Sequence, residues 1–224
     1  MVWTGAKYKF ASTFSYRIPY FSSSYALSAP APSPSTIKLA LVASTINRTG
    51  NVEKGKKLFE KICTSKVTVE LPERIVLFKA FMKRLKKKRQ GLGFERTFGI
   101  REYILYDGKL GIYLDVPKDA NAEITERLRN IQYFGTSDSI CLCIESALTE
   151  PNLQHCIQLS LEKETPQKNG IVFLLTDFAE TASFDDINPF SGKKMKKNTI
   201  ALKPYLFPIK VEKKDRNCTI YRLT

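Results

Sequence analysis

No aspartate or glutamate occurs in this chain before Glu53, and His155 is its only histidine. The first absence leaves the early lysines and arginines without a local counter-charge. The second leaves a single copy of the residue type most often used for general acid–base work. No stretch approaches the roughly 20 consecutive apolar residues needed to span a bilayer. The N-terminus also lacks the short apolar core and small-residue cleavage site of a secretory signal. Five cysteines (Cys63, Cys141, Cys143, Cys156 and Cys218) are an odd, scattered set, unlike a disulfide framework or a zinc site. A reducing cytoplasm is the simplest setting for them. No P-loop occurs, and "GLGFERTFG" lacks the strand–helix context of a dinucleotide fingerprint. Asp185 and Asp186 are adjacent and would face opposite ways on a strand, so they make no metal cluster. No metal or cofactor is expected.

Positive charge, in contrast, is plentiful. Lys and Arg total 36 against 22 Asp and Glu, a net charge of +14 on 224 residues. Such an excess repels itself unless a polyanion or an acidic partner neutralises it. Nucleic acid is the leading candidate and an anionic membrane surface the second. Hydrophobic residues make up 43%, enough for a buried core in one large domain or a domain with an appendage. The acid-free, serine-rich start shares the bias of organellar transit peptides, but "GAKYKFASTFSYRIP" reads as a strand rather than an amphipathic helix.

The pattern predicts a first strand over residues 6–16, carrying Tyr8, Phe10 and Phe14. A serine-rich loop follows, ending in "SAPAPSPST". There Ser33 is placed to cap a helix whose first residue is Pro34, where the missing amide costs nothing. Ile37, Leu39, Ala40, Leu41, Val42, Ala43 and Ile46 surround most of that helix, and Gly50 ends it. A second, amphipathic helix is expected over 51–64, with Leu58, Phe59 and Ile62 inward. Residues 75–82 are apolar on both faces, as a central strand would be. Asp107-Gly108, between "REYILY" and "KLGIYLDV", signals a two-residue hairpin. A short helix is expected over 119–131, followed by the strand "SICLCIESAL", whose Cys141 and Cys143 alternate onto one buried face. This order is α+β, a ferredoxin-like (RRM-like) βαββαβ plan with an added hairpin. It occupies residues 1–150. A polar link, "KETPQKNG", leads into a β-rich C-terminal extension over 151–224, with strands in "GIVFLLTDFA", "NTIALKPYLFPIKVEK" and "CTIYRLT".

The segment 83–99 is the most informative. Lys83, Arg84, Lys86, Lys87, Lys88, Arg89 and Arg96 oppose a single acid, Glu95. Lying between strands, it should protrude as a hairpin or thumb. Phe94 and Phe98 add stacking surfaces among the cations, a mixture that suits single-stranded RNA. A second run, Lys193, Lys194, Lys196 and Lys197 in "SGKKMKKN", lacks aromatics and fits a phosphate contact and a solvated loop equally. His155, in "NLQHCIQLS", reads as a structural residue near a strand start rather than a catalytic one. The helix junction, where Ser33, Ser35 and Thr36 gather before Lys38, reads as an anion site for RNA phosphates.

Strand, serine loop, "SPST" junction and basic hairpin together resemble the repeat-associated (RAMP) superfamily of CRISPR systems. Within it the chain is most similar to the fifth Cas family, the subunit found in Cascade-type complexes. The family's "R-x-P" element is matched by Arg17-Ile18-Pro19. Its "P-x-P-S-T-[ILV]-x-x-x-[LA]" junction is matched by Pro32, Pro34, Ser35, Thr36, Ile37 and Leu41. The resemblance spans most of the first 145 residues. It implies a non-enzymatic, cytoplasmic subunit that grips the 5′ handle of the guide RNA, caps the backbone filament beside its subunits, and touches the large subunit. Its thumb would kink the RNA, and target DNA would be read only through the guide. On this reading Arg17, Tyr20, Ser33, Ser35, Thr36 and Lys38 form the handle pocket, and residues 83–98 form the thumb. A minority branch of the family cuts precursor RNA without metal, but its catalytic histidine has no matched position here. A generic organellar or ribosomal RNA binder is the remaining alternative.

Overall fold

The computed structural model describes residues 1–22, 24–152, 157–159, 169–188, 191–192, 196 and 198–224. The chain opens with β1 (Val2–Phe10), a two-residue strand β2 (Tyr25–Ala26), then α1 (Pro34–Thr49) and α2 (Val52–Ile62). Next come β3 (Val67–Glu70), the long strands β4 (Arg74–Lys87) and β5 (Phe94–Asp107), and β6 (Leu110–Val116). Helix α3 (Asn121–Arg129) leads to β7 (Cys141–Leu148). The remainder holds β8 (Ile157–Gln158), β9 (Ile171–Phe178), the single turn α4 (Phe184–Ile187), β10 (Ile200–Phe207), β11 (Ile209–Lys214) and β12 (Cys218–Leu223).

One sheet has the order β3-β6-β1-β7, antiparallel throughout. With α1 and α2 between β1 and β3, and α3 between β6 and β7, this is the βαββαβ plan. Helix and sheet are joined by polar as well as apolar contacts. The Tyr8 hydroxyl donates to the Leu128 carbonyl of α3 at 2.8 Å, and Tyr8 packs edge-on against Phe134. The expected inward faces of α2 and α3 are buried, with Leu58, Phe59, Ile62, Ile124 and Leu128 all at or below 1% exposure.

Several expectations shift in position. The first strand begins and ends earlier than 6–16, and Phe14 instead makes an isolated bridge to Ile104 of β5. The short strand β3 ("VTVE") was too brief to register as a periodic pattern, yet it, and not 75–82, supplies the second strand of the βαββαβ sheet. Residues 75–82 belong to β4, which is central in a different sheet of order β11-β12-β4-β5-β2. Only one face of that stretch enters the core, through Ile75 and Leu77; Val76 and Phe78 on the other face are half-buried, and Phe81 is 60% exposed where the strand leaves the body. Asp107-Gly108 does not close a hairpin. β5 is already paired along its length with β4, and β6 fits between β1 and β3, so the chain changes sheets here. Gly108 makes the corner at φ 132°, a conformation that side chains disfavour.

The last third joins the same core. β9 packs on α1, and β12 extends the second sheet by pairing with β4 from Arg74 to Phe78. Across the α1–β9 contact lies a buried ion pair. Lys38, with no exposed surface, donates to Asp177 Oδ1 and to the Cys63 carbonyl, both at 2.7 Å, while Lys203 Nζ meets Asp177 Oδ2 at 2.9 Å. Burial lowers the Lys38 pKa, and Asp177 opposes that fall. Removing one member of such a pair strands a buried charge, at a cost of about 3–5 kcal/mol. Asp177→Ala should therefore lower the unfolding free energy read from a urea titration by that much, and Lys38→Met combined with Asp177→Leu should recover most of the loss. A single variant as stable as the parent would show that the pair does not hold α1 to β9.

Candidate nucleic-acid interface

The junction "SAPAPSPST" runs through the interior. Ser28, Ala29, Pro30, Ala31, Pro32, Ser33, Pro34 and Ser35 are all buried. Buried irregular backbone must satisfy every N–H, and three prolines remove three of those donors. Further contacts pin the segment: the Tyr106 hydroxyl donates to the Pro30 carbonyl at 2.9 Å, and Ala29 N–H to the Tyr16 carbonyl at 3.1 Å. Ser33 caps α1 with Pro34 in the first turn, and Gly50 closes the far end, as read from the sequence.

The hydroxyls of this junction, however, face inward. Ser35 Oγ lies 2.6 Å from Thr176 Oγ1 of β9, Thr176 donates to Ser33 Oγ at 2.9 Å, and Tyr16 Oη lies 2.9 Å from the same threonine. Ser33, Ser35 and Lys38 are thus consumed by internal partners, which corrects their assignment to an RNA-facing pocket. The physical reason is that β9 covers the helix start where a phosphate was expected. Thr36 is half-buried, with its hydroxyl 2.9 Å from Ser33 Oγ. Arg17 and Tyr20 remain exposed on the adjoining loop, where Arg17 bridges to Ser28.

The basic segment forms a hairpin longer than 83–99. β4 and β5 pair without a break from Arg74↔Asp107 to Lys87↔Phe94. β12 covers the β4 edge only as far as Phe78, and β2 covers β5 only at Ile100 and Arg101. Residues 82–87 and their partners therefore project on their own, roughly 20 Å at about 3.4 Å per residue. The expected thumb residues Lys83, Arg84, Lys86, Lys87, Lys88, Arg89, Phe94, Arg96 and Phe98 are all exposed on this projection.

Register sorts these side chains, since cross-strand partners share a face. One face starts in the core with Ile75, Leu77, Ile104 and Tyr106, then continues outward through the pairs Phe81–Ile100, Lys83–Phe98, Leu85–Arg96 and Lys87–Phe94. The Phe81 and Phe98 rings are stacked, with centroids 5.9 Å apart and planes 30° apart. The opposite face carries Arg84, Lys86 and Arg101 with Met82 and Thr97. Sequence inspection singled out Phe94 and Phe98 but missed Phe81 and Leu85, whose exposure at 60% and 70% depends on how far the hairpin leaves the body. Their alternation with Lys83 and Lys87 was the available signal. The lysine run 193–197 is described only at Lys196, which pairs with Asp186 at 3.5 Å, and His155 and Cys156 lie outside the described residues.

An α+β βαββαβ protein with an inserted basic hairpin is the class that this geometry defines. No family model matches the chain. It is, however, 37% identical over 222 residues to the CRISPR-associated protein Cas5 of Archaeoglobus fulgidus, covering 95% of each chain. The chain belongs to the Cas5 family. Among solved structures, a chain of a "CRISPR RNA-guided surveillance complex" aligns with a TM-score of 0.52 at 13% identity, covering 91% of this chain and 88% of that one. That likeness is one of fold. A crystal structure of a CRISPR protein from Archaeoglobus fulgidus aligns over all of this chain and 92% of its own at 13% identity, with a TM-score of 0.46, too slight to carry weight. No helix among the described residues is long and apolar enough to cross a membrane.

At the root of the hairpin sits a buried acid. Glu102 is 6% exposed and accepts the Ser28 N–H at 3.0 Å. Burial raises its pKa above the ordinary 4.5, against the smaller pull of the Ser28 N–H and Lys79. The folded state therefore holds more protons than the unfolded one between 4.5 and the raised value, so this residue's contribution is full at acid pH and is lost as pH rises through that window. Glu102→Gln keeps the acceptor and removes the titration. The variant should gain on the parent in urea midpoint as pH rises from 4.5 to 7; a difference independent of pH would contradict this assignment.

Proposed function

We propose that this chain is the guide-RNA-binding subunit of a type I Cascade-like CRISPR interference complex. In this role it grips the 5′ handle of the guide and caps the backbone filament, contacting a backbone subunit and the large subunit. The hairpin acts as the thumb that kinks the RNA. The carrying observation is the projection itself: seven cations and a row of exposed aromatics on a hairpin with one acid at its tip. Cations in that density hold a phosphate backbone, and aromatics between them hold splayed bases. Family membership and the RNA-guided complex named for the structural neighbour support the same reading. Arg17 and Tyr20 remain as exposed handle contacts, and Thr36 as a half-buried one. Target DNA reaches the chain only through the assembled complex, and the chain itself is not an enzyme.

Binding of a labelled repeat-derived handle RNA tests this directly. Reversal of Lys86, Lys87, Lys88 and Arg89 to Glu should abolish binding at moderate salt without loss of the folded state, because the four residues are exposed. Unchanged affinity would sink the thumb assignment, and equal affinity for unrelated RNA would favour a generic RNA binder. Cleavage of repeat RNA in chelator, lost on His155→Ala, would favour a precursor-processing endoribonuclease.

A further inference from the structure

The aromatic face of the hairpin does not end where the hairpin meets the body. β2 lies parallel beside β5 with Tyr25 in register with Ile100, so Tyr25 shares the face of Ile100 and of Phe81 across from it. Lys79, which belongs to that face by the β4–β5 register, places Nζ 5.4 Å from the centroid of the Tyr25 ring. Gly99 makes the approach possible: a Cβ there would meet the Ser24 carbonyl oxygen at 2.9 Å. From tip to body the face thus reads Phe94, Leu85, Phe98, Phe81 and Tyr25, exposed by 66, 70, 74, 60 and 37%.

We propose that Tyr25 and this face form one continuous platform on which consecutive unpaired RNA bases stack irrespective of sequence, a proposal that rests on the RNA-binding reading above. Three features carry it. Side chains two residues apart on a strand stand about 6.8 Å apart, twice the roughly 3.4 Å rise per stacked nucleotide, so the rungs suit an extended strand. The three outer apolar rungs each face a cation across the hairpin, Lys83 opposite Phe98, Arg96 opposite Leu85 and Lys87 opposite Phe94, which sets phosphate contacts beside base contacts, while Phe81 faces Ile100 nearer the body. The stacking rungs themselves, Phe94, Leu85, Phe98 and Phe81, carry no hydrogen-bonding group to read a base edge, and Tyr25 carries only its hydroxyl. Stacking without edge readout tolerates every base. The platform therefore holds RNA wherever it is unpaired, and handle recognition falls to other residues such as Arg17 and Tyr20.

Anisotropy of labelled ten-nucleotide oligouridine, oligoadenine and oligocytosine with the full chain, across a salt series, tests the platform. Tyr25→Leu and Phe98→Leu should each weaken all three RNAs by about fivefold or more, with the slope of log affinity against log salt unchanged. Tyr25→Phe should bind like the parent. Lys83→Gln should instead flatten the slope by about 0.7. A Tyr25→Leu variant that binds like the parent overturns the platform, as does a loss confined to one base. A parent chain that binds none of the three RNAs overturns the RNA-binding reading itself.

Discussion

An ammonium and a carboxylate shut away from water, Lys38 and Asp177, hold the two ends of this chain together. Lys38 stands one turn into α1, and Asp177 lies on β9, 139 positions further along the sequence. The pair satisfies the Cys63 carbonyl at the end of α2 as well, so three elements meet on one charge. Beside it, the hydroxyls of Ser33, Ser35, Tyr16 and Thr176 close a network that fixes the start of α1 against the same strand. A charge without water must find its partner, and hydroxyls without water must find each other. Together they specify where β9 docks more sharply than apolar packing would.

From that anchor the hairpin inherits its position. The proline segment that enters α1 is pinned to Tyr106 of β5, and its Ser28 N–H to Glu102 beneath the projection. β12, arriving from the far end of the chain, pairs with β4 and braces the other edge. The body thus grips the hairpin root from both sides and leaves its outer half free. On the proposed RNA-binding role such a root matters, because cations on a loose loop lose their gain to ordering entropy.

Local chemistry was legible and direction was not. Ser33, Pro34 and Gly50 announce the bounds of α1, and the spacing of Leu58, Phe59 and Ile62 announces the face of α2, since capping and helical period act within a few residues. The exposed cations of the hairpin were equally plain. Ser35 and Lys38 were read as facing a ligand, because nothing near them in sequence accounts for a polar cluster at a buried junction. Their partners, Thr176 and Asp177, lie in the last third and carry no local mark of the contact. Asp107-Gly108 failed for a related reason. The dipeptide favours a sharp turn, but whether the flanking strands pair depends on which neighbours already fill their edges. Phe81 and Leu85 went unnoticed because a buried strand and an exposed one share the same alternation until their distance from the core is known.

Photo-crosslinking of a thiouridine-substituted repeat RNA to the full chain, mapped by mass spectrometry, tests the central claim most directly. Adducts are expected on the hairpin between residues 81 and 98 and at Tyr25, and none at Ser33, Ser35 or Lys38. Adducts concentrated at Ser33, Ser35 and Thr36, with the hairpin unmarked, would contradict it.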